Sequence, residues 1–205
     1  MIINFFIGQR TLEHCRVFIK DLVRRIRTKP LFTSDELPHY QTVFMEHFSH
    51  LENHPRTGKR GRPKKPKVVI DPELQYATVH KTRDNGKVVK VERNVIFGDA
   101  ELIDRTIAAS ATSKSINTSF VERANLTLRN HSRKLTRKTL CFAKQKQALV
   151  AQINIVVTYY NFSKPHRSLT LQNPSGKTIK RTPAMAADLI ERIWPIHEIL
   201  AYPMS

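Results

Sequence analysis

The apolar positions change period several times along the chain, and each change marks an element. An apolar run from Ile2 to Ile7, closed by Gly8, predicts a strand buried on both faces. From Thr11 the spacing becomes helical. Leu12, Cys15, Val17, Phe18, Ile19, Leu22, Val23 and Ile26 recur along it, with Thr11 as N-cap and Glu13 in the first turn. Arg24, Arg25 and Arg27 fall near its C-terminal end, where the helix dipole favours cations, and Pro30 stops it. Leu31-Phe32-Thr33 reads as a second short strand ending at Ser34-Asp35, and a further helix is predicted from about Pro38 to Phe48. Strand, helix, strand, helix implies a parallel pair with a right-handed crossover.

The pattern then breaks. Arg56 to Lys67 holds Gly, Pro and cations and almost nothing to bury, which predicts an exposed, mobile basic loop. Leu74 to Thr82 and Lys87 to Phe97 alternate around Asp84-Asn85-Gly86-Lys87, and Asn-Gly between two such runs is the strongest short-range hairpin signal. A short helix is predicted over Asp99 to Ala109, and a polar Ser/Thr loop, Thr112 to Ser119, leads into a helix near Glu122. A second long helix, about Lys144 to Phe162, carries Leu149, Val150, Ile153, Ile155 and Val156. Thr182-Pro183, an N-cap followed by Pro at the first helical position, starts a last helix through Ala184, Met185, Ala187, Leu189 and Ile190. Trp194 is expected to anchor the C-terminal segment on the core. There is no internal repeat.

Charge narrows the function. Lys plus Arg number 35 against 17 for Asp plus Glu in 205 residues, a net charge of +18 and a pI near 10.3. Such a chain repels itself unless a polyanion is its usual partner, so nucleic acid leads and an anionic membrane surface follows. With 40% hydrophobic residues the chain is not wholly disordered, and no segment approaches the roughly 18 apolar residues of a membrane span. Cys15 and Cys141 provide neither a disulfide framework nor a metal-binding spacing, and they read as free thiols in a reducing cytoplasm. His47, His50 and His54 cluster near a helix end, but zinc sites add Cys or carboxylate at defined spacing, and metal binding is not expected here.

Two acids stand out. Glu122 opens an almost purely cationic stretch: Arg123, Arg129, Arg133, Lys134, Arg137, Lys138, Lys144 and Lys146 follow, with no second carboxylate before Asp188. On a helix Glu122, Asn125, Leu126, Arg129 and Arg133 share one side, so a carboxylate is followed by phosphate-binding groups. Asp35 stands where a strand should end, and the carboxyl ends of parallel strands face the crevice where α/β folds place ligands. Carboxylates from different elements that converge on hard divalent cations suit in-line phosphoryl displacement. Each acid also has a plain reading. Asp35 in Thr-Ser-Asp-Glu-Leu-Pro is a good helix N-cap, and Glu122 gains from the positive end of its own helix. Lys59, Arg60, Arg62, Lys64, Lys65 and Lys67 are candidate phosphate contacts, with Gly-Arg-Pro suited to a narrow minor groove, against a merely solvated loop.

Several ordered segments carry a resemblance. They are Thr33-Ser34-Asp35, Ile116 to Arg129 (Ile-Asn-Thr-Ser-Phe-Val-Glu-Arg-Ala-Asn-Leu-Thr-Leu-Arg) and Arg133 to Thr139 (Arg-Lys-Leu-Thr-Arg-Lys-Thr). Tyr159-Tyr160-Asn161-Phe162 with Pro165-His166-Arg167-Ser168-Leu169, and Arg181-Thr182-Pro183-Ala184-Met185-Ala186, follow. Together they resemble the DDE transposases of prokaryotic insertion sequences, a branch of the RNase H-like superfamily. The resemblance implies an enzyme of DNA transposition that cuts and joins DNA ends with Mg2+ or Mn2+, with Asp35 as the second acid and Glu122 as the third. His166, in Pro165-His166, is expected to pack a helix end and not to act in catalysis.

The family's first Asp lies on an earlier strand. Before Asp35 this chain has only Glu13 and Asp21, both on the predicted helix, and Glu36 cannot substitute because adjacent side chains point apart. The expectation is therefore the C-terminal part of a catalytic domain, with Ile2 to Ile7 as the third strand of an incomplete α/β RNase H-like fold (strand, helix, strand, helix). An inserted β-hairpin and a helical C-terminal part complete it. The expected divisions are 1–50 (partial core with the second acid), 51–110 (basic loop and hairpin), 111–165 (helical part with the third acid) and 166–205 (C-terminal loop and helix). Expected partners are insertion-sequence ends and target DNA, a second copy or an upstream transposase fragment, and no membrane, in the cytoplasm at the nucleoid. Alone, the chain is expected to be inactive for want of the first Asp. The other reading is a non-catalytic basic DNA-binding protein that competes or co-assembles with an intact transposase. RNA binding is disfavoured because no aromatic-rich RNA platform is evident.

Overall fold

Short-range signals act as the sequence implies. The computed structural model describes residues 1–54, 65–110, 112–136, 138–173 and 175–201, and the chain divides into two units, Gly8–Phe120 and Met1–Ile7 with Val121–Ser205. In the first, α1 (Leu12–Arg25) is capped by Thr11, whose side chain accepts a hydrogen bond from the His14 amide. It buries Cys15 and Ile19 and ends at Ile26, ahead of Pro30. α2 (Pro38–His47) lies against it, and Arg16 clamps the two by donating from Nε and Nη2 to both carboxylate oxygens of Glu46 at 2.8 and 2.7 Å.

A mixed sheet joins these helices. β1 (Leu31–Ser34) runs parallel to β4 (Gln75–Asp84), with Phe32 opposite Tyr76 and Ser34 opposite Thr78. β4 pairs antiparallel with β5 (Lys87–Phe97), in the order β1-β4-β5. Between β4 and β5, Asn85 (φ 45°) and Gly86 (φ 79°) both take positive φ, the requirement of the tight turn that Asn-Gly announces. A two-stranded ribbon, β2 (Ser49–Glu52) with β3 (Lys67–Ile70), precedes β4, and α3 (Ala100–Ala109) follows β5, capped by Asp99. Gly98, at φ 101°, lies where a Cβ would meet the Leu74 carbonyl oxygen at 2.9 Å, so only glycine lets β5 end there.

The core of this unit is aromatic. Phe44 sits 4.7 Å by ring centroid from both Phe32 and Tyr76 and 6.1 Å from Phe48, and Cys15, Ile19, Val43 and Leu74 complete the cluster. Two expectations are corrected here. The parallel partner of Leu31–Ser34 is β4 and not Ile2 to Ile7, and the hairpin is no insertion: β4 is the central strand, with Tyr76, Ala77, Thr78 and Val79 buried. Hydrophobic alternation shows that a strand exists, but its partner is selected by packing over long separations.

The second unit is helical. It holds α4 (Ser119–His131) from Val121 onward, a 3-10 turn (Arg133–Leu135), and α5 (Lys146–Thr158), which continues as a π-helical turn, Tyr159–Ser163. A 3-10 turn (Arg167–Leu169), the small ribbon β6 (Leu171–Gln172) with β7 (Thr178–Ile179), α6 (Pro183–Ala186) and α7 (Ile196–Ala201) complete it. Ile2 to Ile7 is not a strand. The backbone of Ile2 is held by a side chain: Asn161 Oδ1 accepts from the Ile2 amide at 2.9 Å, and Asn161 Nδ2 donates to the Ile2 carbonyl at 2.8 Å. The buried carboxamide does for Ile2 what a neighbouring strand would have done.

The last predicted helix is shorter than its apolar pattern. Thr182 caps it as expected, accepting from the Met185 amide. Asp188 then turns left-handed (φ 53°), with the Leu189 amide bonded to the Ala184 carbonyl and the Asp188 amide to that of Met185. That paired closure is a Schellman stop, and it satisfies carbonyls that would otherwise continue the helix. Trp194 packs on Phe162 at 5.3 Å and donates its amide to the Phe162 carbonyl, anchoring the C-terminal segment. Among the described residues no helix is long and apolar enough to cross a membrane.

Candidate nucleic-acid interface

Asp35 directly follows β1, whose parallel neighbour is β4, and its side chain is exposed. It does not cap α2. The N-cap is Leu37, without a side-chain capping bond, and Pro38 begins the helix without an amide to satisfy. The capping role open to Asp35 is thus corrected. The backbone around it is fixed instead: Ser34 Oγ donates to the Asp35 carbonyl at 2.6 Å and lies 2.7 Å from the Tyr76 hydroxyl. Burial raises the pKa of the Tyr40 and Tyr76 phenols, and the negative charge of Asp35 adds to the rise in both. These phenols stay protonated beside the carboxylate.

Glu36 has a partner on the sheet. Its Oε2 lies 2.6 Å from Nδ1 of His80 on β4, an arrangement that individual sequence signals did not reveal because the two residues are 44 apart. Glu13 and Asp21 both stand on α1, where Glu13 pairs with Arg16 and Asp21 with Arg25. Beside the sheet, a cleft of about 220 Å³ is lined by Leu31, Thr33, Ser110, Ser113, Asn117 and Phe120. Its hydroxyls accept from nearby amides: Ser110 Oγ from the Thr112 and Ser113 amides, and Ser113 Oγ from Asn117 Nδ2.

In the other unit Glu122 sits in the first turn of α4, exposed. Asn117 shapes the entry to that helix, its Oδ1 accepting from the Ser119 amide at 3.1 Å. Arg123 and Asn125 are exposed, and Arg129, in the last turn, is half-buried. The face expected to run from Glu122 to Arg133 is shorter, because α4 ends at His131. Arg133 and Lys134 lie in the 3-10 turn beyond it. The break comes at Ser132, whose side chain is buried. Arg133, Lys134 and Lys138 are all exposed. Burial raises the pKa of the Tyr160 phenol, and the positive charge of Arg123 opposes that rise.

Lys65 and Lys67 are exposed where the chain enters β3, with Lys67 opposite Glu52. Lys59, Arg60, Arg62 and Lys64 of the basic loop, and Arg137, lie outside the described residues. His47 is on α2, its ring edge-on to Phe48, and His50 is on β2. His166 packs as expected: its ring meets Tyr160 edge-on at 4.5 Å, its amide donates to the Arg181 carbonyl, and burial lowers its pKa. Among the described residues no three His, Cys, Asp or Glu side chains form a group suited to a metal ion. No family model, curated protein or solved structure matches the chain.

Proposed function

We propose that the chain is a DNA-binding polynucleotidyl-transfer unit of the DDE transposase type, built on an RNase H-like core, with Asp35 and Glu122 as two of its metal-binding acids. The observation that carries this reading is the position of Asp35. It follows a strand that has a parallel neighbour, is exposed, and is not used for helix capping. Carboxylate oxygens are the donors that Mg2+ and Mn2+ prefer. When bound, such ions activate the attacking hydroxyl and stabilise the leaving oxygen at a phosphodiester. The chain's own share is to hold carboxylates in place and to grip phosphates. Ser34 and Tyr76 fix the backbone at Asp35, and Arg123, Asn125, Arg133, Lys134 and Lys138 present donors to the DNA backbone.

One observation favours the non-catalytic reading. Glu13 and Asp21 are both engaged by arginines on α1, so neither supplies the first acid. The test therefore has two stages. DNA binding comes first: six phosphate contacts from the basic loop give a slope of log K against log salt of about −5. A slope near zero removes the DNA reading altogether. Next comes Mg2+- or Mn2+-dependent nicking of terminal-repeat DNA. Nicking that is abolished by Asp35→Ala or Glu122→Ala supports catalysis, whereas salt-sensitive binding without nicking establishes the non-catalytic protein.

A further inference from the structure

The two most exposed large apolar side chains among the described residues lie inside the cationic stretch of the helical unit. Leu140 is 96% exposed and Phe142 68%. Lys138 stands two residues before Leu140 and Lys144 two residues after Phe142, both exposed. Neither apolar residue belongs to a helix or strand. The backbone is nonetheless shaped. Lys138 takes a left-handed conformation (φ 55°), and Thr139 Oγ1 accepts from the Cys141 amide at 3.0 Å, a local turn with Leu140 at its bend.

A leucine and a phenylalanine held in water are otherwise a liability, and patches of this kind mark interaction sites. The surrounding charge selects the partner. An apolar protein surface laid over Leu140 and Phe142 would strip water from Lys138 and Lys144 without compensation. A nucleic acid meets both demands, because its phosphates neutralise the lysines and the faces of unstacked bases accept the apolar side chains. We propose that Leu140 and Phe142 form a wedge that enters between bases of DNA held by the neighbouring cations, so that the chain prefers duplexes whose stacking is already weakened. This rests on the DNA-binding reading above and adds to it a preference for distorted or unpaired steps.

The test uses the full chain and two short duplexes of the same length, one fully paired and one with a mismatch at its centre, at fixed moderate salt. Stacking on one aromatic residue is expected to make the mismatched duplex bind about tenfold tighter. Phe142→Ala should abolish that preference while leaving the paired-duplex affinity nearly unchanged. Because Phe142 is exposed, the variant should keep the wild-type melting temperature. With 2-aminopurine beside the mismatch, wild type should change the probe's fluorescence and Phe142→Ala should not. Equal affinity for both duplexes, or a preference that survives Phe142→Ala, overturns the wedge and leaves DNA binding intact. Failure to bind either duplex overturns both. A Phe142→Ala change in sedimentation mass with duplex preference retained overturns the wedge in favour of a protein contact.

Discussion

The unit Gly8–Phe120 is organised by apolar packing, and the unit of Met1–Ile7 with Val121–Ser205 by buried polar nodes. In the first, the Phe44 ring of α2 meets Phe32 of β1 and Tyr76 of β4 at 4.7 Å and Phe48 at the end of α2 at 6.1 Å, and the buried positions are almost all apolar. In the second, among the described residues, the fully buried set is Ile153, Pro183 and Ala184 together with Ser132, Asn161 and Thr182. Asn161 and Thr182 bond backbone groups of this unit, and such hydrogen bonds specify geometry while burying little apolar area.

The sharpest way to break the contrast is to remove a ring from the aromatic core. Phe44→Ala deletes contacts with Phe32, Phe48 and Tyr76 at once and should cost about 3–5 kcal/mol. The single tryptophan, Trp194, belongs to the helical unit and reports on it selectively. In urea, the far-UV signal of Phe44→Ala should begin to fall at lower denaturant while Trp194 fluorescence holds. Coincident transitions would mean that the units unfold as one, and the contrast would then describe composition and not stability.

The converse substitution is Asn161→Ala. It leaves the Ile2 amide and carbonyl without their partners, at a cost of about 1–3 kcal/mol. Hydrogen exchange should accelerate at the Ile2 amide and along Tyr159–Ser163, with protection in β4 unchanged. Faster exchange in β4 would show that the N-terminal run supports the sheet. A smaller effect is expected from Thr182→Ala, which removes the N-cap of α6 and should lower stability by about 1 kcal/mol. Restoration by Thr182→Ser, which keeps the hydroxyl, would separate capping from packing.

The smallest effect concerns charge. Lys29 donates to Asp71, whose carboxylate also accepts from the Glu73 amide, and together these hold the Asp71 pKa below the usual carboxylate range. Because the folded value is depressed, this stabilisation is complete above the ordinary carboxylate pKa. It is lost as pH falls through the folded value. The loss should be less than about 1 kcal/mol at this partly exposed position. Asp71→Asn should flatten the acid limb of the stability curve, and an unchanged limb would assign acid unfolding to other carboxylates.

Much of the local structure was legible from residue types. Thr11 and Thr182 act as caps and Asn85-Gly86 as a tight turn, because each acts through a backbone group two or three residues away. The candidate site was legible only in part. The exposure of Asp35 after a strand and of Glu122 in a first turn follows from neighbouring pattern, but Arg133 left the helical face because α4 ends at His131. Leu189 and Ile190 kept helical spacing past a stop that Asp188 imposes through an uncommon conformation for a non-glycine residue.

What the sequence determined by itself is therefore the set of elements, the excess of positive charge and the isolation of Glu122 within a cationic stretch. Tertiary structure alone decided which strand lies beside Leu31–Ser34, that an asparagine side chain and not a strand receives Ile2, and that Glu36 turns to His80. The reason is range. Caps and turns are chosen by free energies realised within one turn of chain, whereas strand partners and buried polar pairs are chosen by the loop entropy, burial and hydrogen bonding of residues far apart, which no local pattern encodes.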